Sequence, residues 1–257
     1  MRWPQDVPRD ERLCDEDGYY MILPAFFQVL VKLRAAKRPF SVVVRTFGSD
    51  IPRVIDAIDA FCEGKHPLFA DVVAPELQIP PERTWLGLYS RDDGSFTLVS
   101  NPTGADPRQG GRSSSRRAVP ALSEEAMLAE LQGELGSLPR VSAVQDDYEW
   151  WRSHGYAPSS GKPLWLTLRG DPCGWRHIFF DDNIHAKPHD SIVAVRMRRE
   201  SHGPFAALSG EATMELHGSV LRKVPTAHAV CDIDWFVREI EACERNLGEM
   251  CEPMLQA

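Results

Sequence analysis

Two adjacent carboxylates, Asp181 and Asp182, follow the strand-like run His177-Ile178-Phe179-Phe180. Ionised groups at the end of a buried strand must be paired, hydrated or metal-bound. Hard carboxylate oxygens there suit Mg2+, which takes one or two protein carboxylates and keeps several waters. The same acids, with Asn183 after them, also suit a plain turn in which short polar side chains cap the backbone. A second strand end is marked by Thr46, after Val42-Val43-Val44-Arg45. Its hydroxyl and the amides around Gly48 lie close to a helix start, a combination able to hold a phosphate. Lys162, after Gly161, offers a point charge for phosphoryl oxygens, although most loop lysines are simply solvated. His185 and His189 with Asp181 suggest a transition-metal set, but Pro188 breaks the helix that would put both imidazoles on one face, so a polar loop is the better reading. No dinucleotide fingerprint, P-loop or nucleophile-elbow serine is present.

These residues need elements to position them. Pro24 opens a helix through Ala36, with Phe26, Leu30 and Leu33 inward. Phe40 to Val44 reads as a strand buried on both faces. Ser49 or Asp50 caps a second helix, whose stripe is Ile51, Val54, Ile55, Ile58 and Phe61 and whose stop is Gly64. This strand, polar turn and helix form one α/β step, and in open α/β sheets ligands bind at such turns. Trp85 to Ser100 reads as a hairpin around Arg91-Asp92-Asp93-Gly94, and Asn101 to Val119 as a loop. Ser123 starts a helix with Leu128, Leu131 and Leu135 on one face, and Asp146 to Trp151 reads as a short helix. Strands are expected over Pro163–Leu168, His177–Phe180 and Ser191–Met197. A final helix, capped by Asp232 or Asp234, turns Phe236, Ile240, Cys243 and Leu247 inward. The fold class expected is α/β, with a Rossmann-like parallel sheet flanked by helices.

The chain of 257 residues carries a net charge of -8, which argues against a broad phosphate-neutralising face and hence against nucleic acid as partner. The locally basic run Arg112 to Arg117 is rich in Ser and Gly and reads as a solvated loop. Six scattered cysteines include no Cys-x-x-Cys pair, which fits a reducing compartment. An acidic start without a signal-peptide pattern, and the lack of an apolar run of about 20 residues, point to the cytoplasm rather than a membrane.

Taken in order, Val42-Val43-Val44-Arg45-Thr46, Lys162 and Phe179-Phe180-Asp181-Asp182 resemble the later motifs of the haloacid dehalogenase-like superfamily. The phrases Arg45 to Asp50, Gly64-Lys65-His66-Pro67, Phe179 to Ile184 and Asp232 to Phe236 are similar to an uncharacterised group of that superfamily in eukaryotic microbes. The resemblance implies one domain over 1–257, with a cap-like α+β insertion at 69–151. It also implies Thr46 and Lys162 on phosphoryl oxygens and Asp181 and Asp182 on Mg2+ and its waters. The family's nucleophile is the first Asp of an Asp-x-Asp motif ending the first strand. Here only Asp15-Glu16-Asp17 precedes Thr46, and it follows a poor strand, Glu11-Arg12-Leu13-Cys14. The expectation is therefore a first motif upstream of Met1, or one that has been lost. Two functions follow: a Mg2+-dependent phosphohydrolase acting on a small phosphorylated molecule, weak or inactive as this chain stands, or a catalytically silent domain that binds a ligand or partner.

Overall fold

The computed structural model describes residues 1–90, 95–100, 123–167, 174–200 and 203–254. The turn expected at Arg91–Gly94, the loop at Asn101–Val119 with its basic run, and Leu168 lie outside these residues. The chain divides into two compact units, Met1–Tyr148 and Glu149–Ala257, where the sequence suggests a single domain. Both are mixed α/β. Among the described residues no helix is long and apolar enough to cross a membrane.

In the first unit, helix α1 (Pro24–Ala35) starts at its proline, which needs no hydrogen-bond partner in a first turn, and buries Phe27, Val29 and Leu30. Strand β1 (Ser41–Thr46) leads to α2 (Ile51–Cys62), which buries Ile51, Ile58 and Phe61. Gly64, at φ +75, ends α2 as glycine readily does. Its N–H donates to Phe61 O at 2.9 Å and that of Lys65 to Ala60 O at 3.0 Å, which satisfies the last carbonyls. Strands β2 (Thr84–Ser90) and β3 (Ser95–Ser100) form the expected antiparallel hairpin. Ser123 caps α3 (Glu124–Gln132), its Oγ accepting from Ala126 N. The helix stops at Gly133, so Leu135, expected inside, is 57% exposed.

Strand β4 (Arg140–Gln145) is buried along its whole length. It lies between β1 and β2, parallel to both, in a sheet ordered β1-β4-β2-β3. Two expectations change as a result. β1 is an edge strand and only half-buried, because one neighbour covers one side of it rather than two. The segment 69–151, read as a cap, supplies three of the four strands of the sheet to which β1 belongs.

Helix α4 (Tyr148–Ser153) carries the chain into the second unit, built of short paired strands. Strand β5 (Lys162–Thr167) pairs in parallel with β9 (Val193–Arg198), and β10 (Ala206–Ala207) adds an antiparallel edge to β9. Strand β6 (Phe179–Asp181) pairs in parallel with β11 (Leu221–Lys223), and β7 (Ile184–Lys187) with β8 (Asp190–Ser191) forms a hairpin. His177 and Ile178, expected in β6, precede its first ladder bond, from Phe179 N to Val220 O. Helices α5 (Gly210–Met214), α6 (Thr226–Cys231) and α7 (Trp235–Met254) complete the unit. Cys243 of α7 is fully buried, and Asp232 closes the turn before that helix by accepting from Asp234 N.

Gly161 enters β5 so close to β9 that an added Cβ would lie 2.2 Å from Ile192 O. Gly161→Ala therefore forces backbone apart at the first rung of the β5·β9 ladder. Denaturant unfolding is expected to show a loss of roughly 1–3 kcal/mol.

His66 sits inside the first unit with no exposed surface, among Tyr20, Phe27 and Phe69, whose ring centroids lie 4.9–5.0 Å away. Its Nδ1 accepts from Leu68 N, while its Nε2 has no hydrogen-bond partner among the described residues. Burial pulls this imidazole down to about 4. The unfolded chain takes up the proton near pH 6.5 and the folded chain resists until about 4, so folded stability falls as pH drops through that window. The loss expected by the acid end is on the order of 2–3 kcal/mol. Urea midpoints across that window should show it, and His66→Phe should flatten the dependence.

Candidate functional site

The structure joins two of the residues singled out from sequence. Lys162 is the first residue of β5 and Asp181 the last of β6, and Lys162 Nζ donates to Asp181 Oδ2 at 2.8 Å. Both side chains are buried, 7% and 9% exposed. Lys162 is thus an interior partner of a carboxylate rather than a solvated loop lysine. The second oxygen of Asp181, Oδ1, accepts from Asn183 N at 2.8 Å, and the Asp181 carbonyl accepts from Val224 N at 3.0 Å. Asp182 is exposed, and its Oδ1 accepts from Asn183 Nδ2 at 3.0 Å. The acids thus make the turn between β6 and β7 while one of them neutralises a buried lysine.

This arrangement fits Mg2+ poorly. Each oxygen of Asp181 already holds a donor, and one of those donors is the Lys162 ammonium, whose positive charge would repel a metal cation. Among the described residues no group of three or more His, Cys, Asp or Glu side chains is placed to hold a metal. His185 lies in strand β7 rather than in a loop, and its Nδ1 faces Lys223 Nζ at 3.4 Å.

Thr46 and Gly48 belong to the first unit, Lys162, Asp181 and Asp182 to the second. The strands that end near Thr46 and Asp181 lie in different sheets: β1 pairs with β4 and β6 with β11. Locally, Thr46 Oγ1 accepts from Gly48 N at 2.9 Å and donates to Asp50 Oδ1 at 3.1 Å. The hydroxyl and amide expected to receive a phosphate satisfy one another across the turn. Asp50 flanks the start of α2 as expected but makes no side-chain cap bond, its carboxylate being turned back to Thr46. Asp15, the only nucleophile position available by sequence, closes a turn by accepting from Tyr19 N at 2.7 Å. It ends no strand; only the isolated Cys14↔Tyr20 bridge adjoins it.

A second charged cluster was not legible in the sequence. Directly after β4, Asp146 is fully buried, and both its oxygens are engaged by Arg45 from β1 while Tyr89 Oη donates to Oδ1. Asp146 N donates to Thr46 O at 2.7 Å, and Asp147 Oδ2 accepts from Tyr89 N. Burial pushes the Tyr89 phenol well above its usual range, and the charge of Asp146 adds to the effect. Burial alone would weaken the Arg45 cation, but Asp146 and Tyr89 outweigh it and raise its pKa. The group lies at the carboxyl ends of three parallel strands, where α/β sheets place ligands. Here those ends are bound to one another. Two adjacent acids also stand at Asp146-Asp147, but Ser142 and Gln145 break the apolar run before them.

Compared with known proteins, the chain matches no family model, no curated protein and no solved structure.

Proposed function

We propose that this chain is a catalytically silent, haloacid dehalogenase-like α/β domain that binds a small ligand. The observation that carries this reading is the buried Lys162–Asp181 pair, in which the carboxylate expected to bind metal is committed to a lysine and a backbone amide. Removing either charge from such a pair costs far more than the pair itself contributes, so the fold holds the two together. A Rossmann-like origin of the first unit is supported by three parallel strands, β1, β4 and β2, with a polar turn and a helix after β1. The formal charge of -8 favours a small-molecule ligand over a nucleic-acid partner.

The second reading, a Mg2+-dependent phosphohydrolase of small phosphorylated molecules, draws on the same pair. Lys162 and Asp181 meet, as that family's later motifs would. Turnover of an activated aryl phosphate, measured with and without Mg2+, separates the two. The silent reading expects no metal-dependent turnover. Turnover that requires Mg2+ and disappears in Asp181→Asn would establish the phosphohydrolase instead.

A further inference from the structure

We propose that the second unit carries a binding cleft for a small organic anion with an apolar body, apart from the Lys162–Asp181 pair. The cleft encloses about 370 Å3, near the lower end of the roughly 300–1,000 Å3 typical of small-molecule sites. It arises because β10 is only two residues long: the ladder on that side of β9 ends with Leu208 N donating to Val195 O, and the chain then turns away into α5. The edge of β9 left open forms one wall, with Val193, Val195, Leu208 and Met214 supplying apolar surface. The β7–β8 hairpin tip and α5 form the others. They meet tightly, since a Cβ at Gly210 would lie 2.0 Å from Pro188 O, so the walls are held before any ligand arrives.

The titratable side chains that line it are basic. Lys187, His189, Arg196 and His217 line the cleft, whereas no Asp or Glu does among the described residues, in a chain with 37 acidic residues against 29 Lys and Arg. Arg196 is half-buried and holds the edge by donating from Nη2 to Phe205 O at 3.3 Å. A planar guanidinium suits a carboxylate or a phosphate ester alike. Burial pulls His217 down, which favours its neutral form, and Lys187 and Arg196 bring cationic side chains to the cleft. Lys187 shares its charge loosely with Asp190 at 3.9 Å, on an exposed pair of little strength. A mainly apolar wall with a cationic end selects a ligand having both features. The inference builds on the reading of the chain as a binding domain, but its test does not depend on catalysis.

Calorimetric titration of the full chain with four probes tests it: octanoate, phenyl phosphate, octan-1-ol and inorganic phosphate. At least one of the first two should bind, with octan-1-ol and inorganic phosphate at least about tenfold weaker, the equivalent of about 1.4 kcal/mol. Preference for octanoate assigns a carboxylate ligand, and preference for phenyl phosphate assigns a phosphate ester. Arg196→Gln should weaken binding by about tenfold. Because that variant also loses a bond to β10, Ala207→Trp is the companion: Ala207 is exposed and lines the cleft, so the indole blocks it without disturbing the core. Failure of both anions to bind, equal binding of octan-1-ol, or undiminished binding by a folded Ala207→Trp variant would overturn the proposal. Metal-dependent phosphatase turnover would instead overturn the silent reading and leave these binding results standing on their own.

Discussion

Replacing Asp146 by Ala is expected to lower stability by roughly 3–5 kcal/mol, since it removes the carboxylate that faces a buried cation. Arg45, with 9% of its side chain exposed, would lose both carboxylate oxygens, and Tyr89 Oη would lose its acceptor. The loss is unequal to that of the reverse change: Arg45→Met removes the guanidinium but leaves Tyr89 bonded to Asp146. Asp146→Asn keeps an acceptor for Tyr89 and should fall between wild type and Asp146→Ala. Urea unfolding of the three variants, followed by circular dichroism, gives the ranking. Equal losses in Asp146→Asn and Asp146→Ala would mean that charge, rather than hydrogen bonding to Tyr89, carries the whole effect.

Lys162→Met is expected to cost roughly 3 kcal/mol, because it leaves the Asp181 carboxylate 9% exposed without its cation. Replacing both members by apolar residues of similar volume should recover most of that loss, since a buried pair repays little beyond its own desolvation. The interaction between Lys162 and Asp181 should emerge in a double-mutant cycle as a coupling above about 1 kcal/mol. Lys162 and Asp146 belong to separate compact units, so their effects are expected to add.

The local devices of this fold were readable because each sits within a few residues of its consequence. Pro24 at the start of α1, Gly64 after α2, Ser123 before α3 and the strands on either side of Arg91–Gly94 all act on their own segment. Strand β4 was not readable: Arg140, Ser142 and Gln145 give it a polar alternation, yet every residue is buried because β1 and β2 flank it. That burial is set by partners more than 50 positions away and leaves no local trace. The half-burial of β1 has the same origin, since its Val42-Val43-Val44 run does not say whether one strand or two will pair with it.

The candidate site divides in the same way. Sequence identified Lys162, Asp181 and Asp182 as residue types with chemical potential, and the structure joins the first two. It could not tell whether the lysine would face a ligand or a carboxylate, because that depends on which strand starts opposite Asp181. By type Thr46 suits a phosphate, whereas a backbone amide two residues on and a carboxylate four residues on satisfy it first. Asp146 is likewise the first of two adjacent acids, but the polar residues Ser142 and Gln145 before it hide the strand it follows.

We propose that Asp181 serves Lys162 and not a metal ion. Thermal unfolding of the wild-type chain with and without millimolar Mg2+, beside Asp181→Asn, tests it directly. A metal held by the folded state alone must raise Tm by mass action. The account predicts the same Tm with and without Mg2+ in the wild type and a lower Tm in Asp181→Asn under both conditions. A Mg2+-dependent rise in the wild type that Asp181→Asn abolishes would contradict it.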